Sequence, residues 1–278
     1  MEQTAAGLYH VEIPFPLQFR AVELMRFRSE FFAAGFVLFV LLGAFYFTRV
    51  QESPAQNSES IHANWRIQQW HRVDYLRGRI AQFRTVFWEP GDTTSLRKLI
   101  FLTEEFRGKR ILEIGTGSGL ISLCCLQAGA GRVVATDINP NAIDCARFNA
   151  AQRNYENALD LRLVRQVAPE AYSVIRPQEK FDIIISNPPW EDDVPRRIDE
   201  FALYDPGFRL LDSLLRELKQ HLNSDGYALL AYGCVSAIRA VISTAARYQL
   251  KVEILDNRSL DALDEVFLPG MLLKVSPE

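Results

Sequence analysis

The sequence has few of the residues that bind metals or form disulfides. Its 278 residues include 4 cysteines and 4 histidines, and no two cysteines form a C-x-x-C pair. The histidines are scattered and also lack metal-ligand spacing, so neither a zinc site nor a disulfide framework is indicated. We therefore predict no metal, and we expect small buried hydrophobic side chains at Cys124, Cys125, Cys145 and Cys234.

Strong net charge is also absent. The chain carries 31 Lys and Arg against 34 Asp and Glu, a formal charge of -3, so no overall basic field attracts nucleic acid. Hydrophobic residues make up 48% of the chain, which excludes intrinsic disorder as a description of the whole. The length suits one or two folded domains.

One long apolar run stands out near the N-terminus. Residues 31–47 read FFAAGFVLFVLLGAFYF, 17 residues without a charged side chain, and arginines flank them. As a helix the run would span about 26 Å, slightly less than the ~30 Å hydrocarbon core of a bilayer. We predict a transmembrane helix over 31–48, preceded by an N-terminal segment (1–30) and followed by a linker (49–60). The alternative is a buried core helix; a cleaved signal peptide is disfavoured because no small-residue cleavage site follows.

The segment after the linker combines aromatic and basic residues. In 61–84, Trp65, Trp70, Tyr75 and Phe83 alternate with several arginines at a spacing that predicts an amphipathic helix. Such a helix could lie on a membrane surface or over a substrate cleft. It could equally be a solvated helix whose aromatic side chains pack on the main domain.

From residue 110 onward, short apolar runs alternate with helical segments. This alternation predicts an α/β fold with a Rossmann-like, mostly parallel, seven-stranded sheet in a domain spanning 85–278. The predicted helices are 121–127, 142–152 and 210–222. The predicted strands are 111–114, 132–138, 161–164, 181–186, 227–231, 252–255 and 271–275.

A glycine-rich loop follows the first of these strands. Glycines at alternate positions let a backbone approach a ligand closely at the start of a helix. The spacing E-x-G-x-G-x-G from Glu113 to Gly119 resembles the first motif of class I S-adenosylmethionine-dependent methyltransferases. About twenty residues later the second strand ends in Asp137, whose carboxylate could accept both hydrogen bonds of a ribose diol. The resemblance implies S-adenosylmethionine as cofactor.

The sequence Asn187-Pro188-Pro189-Trp190 follows the predicted fourth strand. It resembles the N-P-P-[YFW] signature of methyltransferases that modify planar nitrogen. An amide nitrogen has a delocalised lone pair and is a poor nucleophile. The Asn187 side-chain oxygen and the Pro188 carbonyl could accept its two N–H groups and align the lone pair, while Trp190 could stack on the planar group.

The segment V-F-W-E-P-G-D-T-T (86–94) looks like the stretch that precedes the first motif in the HemK family of protein glutamine N5-methyltransferases. In that family the segment closes over the cofactor, which makes Asp92 and Thr93 candidate contacts. One difference is that no acid directly follows the third strand, so we assign the adenine contact to Gln166. The remaining cofactor candidates are Glu113, Gly115, Thr116, Gly117, Gly119, Asp137, Ile138 and Asn187.

Together these features predict a membrane-anchored N-methyltransferase whose acceptor is a protein side-chain amide, most plausibly glutamine. Adenine N6 of nucleic acid, a small-molecule amine, and a non-catalytic cofactor-binding adaptor remain alternatives. Nucleic acid is less favoured because acids at 191–193 follow the motif. The arginines before the apolar run weakly favour a cytoplasmic N-terminus. The cofactor is cytosolic and the cysteines are unpaired, so we predict that the catalytic domain faces the cytosol.

Overall fold

The computed structural model describes residues 66–278, and every structural statement below refers to them. In chain order, the strands and helices are β1 (Ile67–His71), β2 (Ile80–Phe83), α1 (Thr94–Leu102), β3 (Arg110–Ile114), α2 (Leu120–Gln127), β4 (Arg132–Asp137), α3 (Pro140–Ala151), β5 (Leu159–Leu163), β6 (Phe181–Ser186), α4 (Arg209–His221), β7 (Leu222–Cys234), α5 (Val235–Arg247), β8 (Leu250–Ile254) and β9 (Val266–Pro277).

The seven strands from β3 onward form one sheet, in the order β5-β4-β3-β6-β7-β9-β8. Strand β9 runs antiparallel to β7 and β8, and the remaining neighbours are parallel. The predicted mostly parallel seven-stranded sheet is confirmed. Because parallel strands end at one edge, the carboxyl ends of β3, β4 and β6 lie side by side there, as in other α/β sheets that bind ligands.

The apolar strands explain why the sheet is covered on both faces. Ile111 and Ile183 pack in one hydrophobic cluster, whereas the neighbouring Leu112 and Ile184 pack in another. Side chains of successive strand residues point to opposite faces, so a continuous apolar run supplies two cores. The four cysteines are buried free thiols, as predicted.

The helix predicted over 61–84 is wrong for residues 66–84, which form the antiparallel hairpin β1–β2. The connection contains Tyr75 and Gly78 at φ 70° and 78°, values that an α-helix of L-residues does not adopt. All four residues of β2 are buried, which a one-faced amphipathic helix would not allow.

No helix between residues 66 and 278 is both long enough and apolar enough to cross a bilayer. The predicted transmembrane helix at 31–48, its flanking segments and the first residues of the 61–84 segment lie outside the described residues.

Candidate active site

The chain makes a tight turn between β3 and α2. Gly119, immediately before α2, has φ +83°, and a Cβ there would lie 3.1 Å from the Ala146 Cα, so α2 approaches α3 closely. Gly117 has φ +55°, and a Cβ there would meet no atom within 4 Å. The backbone of Gly117 therefore faces open space and can meet a ligand directly.

Glu113 holds this loop in place from the end of β3. Its carboxylate accepts hydrogen bonds from the Thr116 hydroxyl at 2.7 Å, the Ser122 backbone N–H at 3.1 Å and the Ser122 hydroxyl. Burial raises the pKa of Glu113 to about 7, against the lowering effect of these donors. The side chain thus joins the strand, the loop and the first turn of α2.

Asp137 ends β4 opposite the loop. One carboxylate oxygen accepts the Gly117 N–H and the other accepts the Asn139 N–H, both at 2.8 Å. An ionised carboxylate has about four lone-pair sites, so each oxygen can accept a further hydrogen bond. Burial raises the pKa of Asp137 to about 6, and the backbone donors lower it. The carboxylate is therefore half-buried and retains accepting capacity.

A cavity opens at the carboxyl edge of the sheet, between these two elements and the N-P-P segment. It brings together most of the predicted site residues: Thr93, Glu113, Gly115, Thr116, Gly117, Asp137, Ile138, Asn187, Pro188 and Pro189. Sequence reasoning missed a further wall, which comes from the segment between β6 and α4 and from the first two residues of α4: Ile198, Phe201, Ala202, Tyr204, Asp205, Pro206, Arg209 and Leu210.

The 85–93 segment forms another wall, and the buried side chain of Arg97 on α1 fixes it. Arg97 donates hydrogen bonds to the Pro90 carbonyl at 2.6 Å and to the Thr93 hydroxyl at 2.7 Å. Trp88 in this segment stacks on His71 with ring centroids 4.0 Å apart. Sequence reasoning missed Arg97, since an arginine among apolar helix positions gives no sign that the residue is only 3% exposed.

Asn187 follows β6 and lines the cavity. Its side-chain oxygen is buried and has no hydrogen-bond partner among the described residues. The preceding Ser186 donates its hydroxyl to the Ile114 carbonyl at 2.8 Å, which ties the ends of β6 and β3 together. The structure thus places an unpaired acceptor beside the glycine loop.

Four predicted residues lie elsewhere. Trp190 packs against the hydrophobic cluster around β7, and its ring lies 3.4 Å from where a Cβ of Gly233 would be. Asp92 is buried near the same glycine, Gly119 packs on α3, and Gln166 is exposed. None of these four belongs to the cavity walls. Their contacts with cofactor or acceptor stay predictions.

Near the end of β5, residues other than Gln166 line the cavity. The cavity wall there consists of Val164, Pro169, Glu170 and Ala171. Glu170 therefore supplies an acid on this side of the cavity, six residues later than the end of the predicted strand. The sequence contains this acid, but only the folded loop shows that Glu170 reaches the cavity wall.

Comparison with known proteins relates the chain to methyltransferases. The model of the family described as ribosomal protein L11 methyltransferase (PrmA) matches residues 92–188. A Methanocaldococcus jannaschii protein, provisionally named a protein N5-glutamine methyltransferase, is 29% identical over 177 residues, covering 60% of this chain and 82% of the relative. The release factor glutamine methyltransferase of Koribacter versatilis is 30% identical over 44% of this chain and 46% of its own length.

The tRNA1(Val) (adenine(37)-N6)-methyltransferase of a Shewanella species is 28% identical over 54% of this chain and 66% of the relative. The chain has the fold of class I S-adenosylmethionine-dependent methyltransferases, and these relatives are methyltransferases. A solved Thermus thermophilus 16S rRNA N2 G1207 methyltransferase in complex with AdoMet and guanosine shares the fold, with TM-score 0.51 and 16% identity, covering 76% of this chain and 50% of that one.

The residues present in this methyltransferase fit its cofactor. The open space at Gly117 leaves room for a ligand against the loop backbone. Asp137 has free lone pairs for the two ribose hydroxyls, in the position where an acid ends the second strand of nucleotide-binding α/β folds. When bound, S-adenosylmethionine would supply an electrophilic methyl group. The protein's own part is to hold the two reactants in line and to exclude water.

Replacing Gly119 with alanine should lower the free energy of unfolding by about 2 to 5 kcal/mol. The new Cβ would be strained by the positive φ and would also press on Ala146 at 3.1 Å. The matched control is Gly108→Ala, where φ is +71° but nothing lies within 4 Å, and we expect about 1 to 2 kcal/mol. Urea unfolding measures both, and equal losses would refute the close packing of α2 on α3.

Cofactor affinity should depend on pH through Asp137. Its pKa of about 6 means that the carboxylate takes up a proton as pH falls from 7 to 5, and only the ionised form can accept both ribose hydroxyls. We expect the association constant to fall about tenfold over that interval. The pKa of the neighbouring Glu113 is raised to about 7, so both carboxyl groups change charge in this interval. Asp137→Asn is the control that separates the contribution of Asp137 from that of Glu113. Calorimetry should show that this variant binds weakly and loses the acidic part of the dependence.

Proposed function

We propose that this methyltransferase modifies a planar amide nitrogen, most plausibly a glutamine side chain in a protein. The observation that carries the proposal is the buried, unpaired side-chain oxygen of Asn187 at the cavity wall. A buried acceptor without a partner costs free energy in the free protein, which a bound N–H donor would recover. A primary amide offers two such donors on the atom to be methylated.

The rigid geometry after β6 supports the same acceptor. Pro188 and Pro189 restrict the backbone, so the Pro188 carbonyl has little freedom to turn away from an acceptor held by Asn187. Two oxygens that accept the two N–H groups would leave the nitrogen lone pair facing the sulfonium methyl. Catalysis would then come mainly from alignment and from stabilising the positive charge that develops on nitrogen.

The relatives support this acceptor to different degrees. Two of them carry names that refer to glutamine, and one acts on adenine N6 of tRNA. Exposed acids at Glu191, Asp192 and Asp193 follow the motif, and they would repel a phosphate backbone. For this reason we favour protein over nucleic acid as the acceptor.

The test uses a lysate from cells that lack the chain, incubated with purified chain and tritiated S-adenosylmethionine. We expect the label in macromolecules. Protease should release this label, and nuclease should not. Label that nuclease releases would support the adenine alternative and overturn the protein assignment. Label confined to small molecules would overturn both, and the Asn187→Ala chain serves as the background control.

We further propose that the apolar run at 31–47 anchors the enzyme in a membrane with its catalytic domain in the cytosol. Uninterrupted apolar character over 17 residues supports the anchor, and the need for cytosolic cofactor supports the orientation. Protease should digest the domain in cytosol-side-out vesicles, and carbonate washing should leave the chain with the membrane. Protection of the domain would reverse the orientation, and release by carbonate would overturn the anchor.

A further inference from the structure

Two large apolar side chains are exposed next to each other at the end of α1. Phe101 is 56% exposed and Leu102 is 63% exposed. The Phe101 ring contacts the Tyr75 ring, with centroids 5.4 Å apart. Lys98 is also exposed and lies three and four residues before them, so the three side chains share a face of α1. Exposed apolar side chains that are contiguous mark interaction surfaces, whereas scattered ones do not.

The connection between β1 and β2 adds positive charge to this surface. It carries a single acid, Asp74, and three exposed arginines, Arg72, Arg77 and Arg79. Within the described part of the chain, none of these arginines forms an ion pair, and Lys98 forms none either. Four cations are therefore available to a partner outside the protein.

The acids that follow α1 do not neutralise these cations. Glu104 pairs with Arg107. Glu105 accepts the hydroxyl of Tyr227 on β7 at 2.7 Å, so it is held against the sheet. The surface around Phe101 therefore keeps an excess of positive charge.

Gln127, the last residue of α2, joins the connection to the main domain. Its side-chain oxygen accepts the Arg77 N–H at 2.7 Å, and its NH2 group donates to the Tyr75 carbonyl at 2.9 Å. Because α2 begins at the glycine loop and ends at Gln127, the connection lies at the amino edge of the sheet. The cavity lies at the carboxyl edge. The five residues of β3 separate the two edges by roughly 17 Å.

We propose that a basic-aromatic patch, formed by Tyr75, Arg77, Lys98, Phe101 and Leu102, lies on the anionic lipid surface of the membrane. Anionic headgroups attract lysine and arginine, and exposed aromatic and leucine side chains can enter the interfacial layer. The inference rests on the proposed anchor and goes beyond it, because it states which face of the catalytic domain meets the bilayer.

The place of the patch in the chain favours lipid over another polyanion. Nineteen residues separate Phe47, the end of the apolar run, from Ile67, where β1 begins. Fully extended, they would reach about 65 Å. A tether of this length keeps the patch at a high effective concentration near the bilayer. A soluble polyanion such as RNA gains no such advantage.

Contact at the amino edge would turn the cavity away from the bilayer. The cavity would then open to the cytosol, where a protein acceptor can reach Asn187. The same orientation disfavours a lipid-like amine as the acceptor. Val167 marks the far side, because it is 91% exposed and lies between the cavity-lining residues Val164 and Pro169.

The test places the full chain in lipid nanodiscs of phosphatidylcholine with about 30% phosphatidylglycerol. A fluorophore is attached at Leu102→Cys or at Val167→Cys, since the four native cysteines are buried. Spin-labelled lipids should quench the fluorophore at Leu102→Cys and leave the one at Val167→Cys unquenched. Quenching at Leu102→Cys should fall at least about twofold in discs of phosphatidylcholine alone, because the electrostatic attraction is lost.

Charge reversal shows whether the basic side chains are responsible. Arg77→Glu with Lys98→Glu should lower quenching at Leu102→Cys at least about twofold, while the chain stays in the discs. The matched control reverses Arg165 and Arg196, two exposed arginines that follow strands at the carboxyl edge, and should change nothing.

The possible results separate the inference from the anchor on which it rests. A chain that stays in the discs with no quenching at Leu102→Cys, with equal quenching at both labels, or with quenching that survives charge reversal would overturn the inference alone. A chain that does not stay in the discs would overturn the anchor and the inference together. Binding of tRNA in detergent that is lost on reversal of Arg77 and Lys98 would assign the patch to nucleic acid and overturn the lipid assignment.

Discussion

Replacing Asn187 with alanine should lower the rate of methyl transfer by about two orders of magnitude or more while leaving cofactor affinity within about threefold. The side chain lines the cavity with an unpaired oxygen, so its loss removes one of the two acceptors proposed to hold the nitrogen. Turnover with labelled cofactor measures the rate, and calorimetry measures the affinity.

The matched control is Asn157→Ala, an exposed asparagine on the loop before β5 and not among the cavity-lining residues. We expect this variant to keep both activity and affinity. If Asn187→Ala lost cofactor affinity as strongly as activity, the side chain would be structural, and the proposed grip on the acceptor would be wrong.

The second large effect concerns the cofactor. Asp137→Ala should weaken S-adenosylmethionine binding by about 1 to 3 kcal/mol, through lost charge-assisted hydrogen bonds. The same change removes the acceptors of the Gly117 and Asn139 N–H groups, so the glycine loop also loses a support. Calorimetry at pH 7.5 gives the affinity, and a thermal melt shows whether the variant remains folded.

Asp144→Ala serves as the comparison for removal of a carboxylate. Asp144 lies on α3, pairs with Arg147 at 2.7 Å and does not line the cavity. Its variant should bind the cofactor as the parent does. Equal affinity of Asp137→Ala and Asp144→Ala would exclude Asp137 from the cofactor site.

The sheet could be predicted because its strands are short apolar runs in the sequence. The strand predicted at 181–186 matches β6 at both ends, since Phe181 and the isoleucines after it are buried on both faces of the sheet. The hairpin at 66–84 could not be predicted, because its aromatic and basic residues fit a helical spacing as well as a strand. Its turn depends on Tyr75 at positive φ, which has no sequence signature.

The candidate site also divides into residues that the sequence could predict and residues that it could not. Glu113, Gly117, Asp137 and Asn187 were predictable because each follows or ends a strand at one edge of the sheet, where the fold brings them together. Arg97 was not predictable, because its role depends on one backbone oxygen and one side-chain oxygen that only the folded loop places beside it.

The wall from Ile198 to Leu210 escaped prediction for a related reason. It lies on two short 3-10 turns and the first two residues of α4, and buried Asp205 accepts the N–H groups of Leu210 and Leu211 there. Burial raises the pKa of Asp205, and these donors lower it. Such local capping gives no periodic pattern in the sequence.

The most direct test of the account is to locate the transferred methyl group on the product. The chain is incubated with trideuteromethyl-labelled S-adenosylmethionine and the acceptor fraction, and the product is digested and fragmented in a mass spectrometer. The account predicts the label on a side-chain amide nitrogen, and none in the Asn187→Ala reaction. Label on a carboxylate oxygen, a lysine amine or a nucleobase would contradict it.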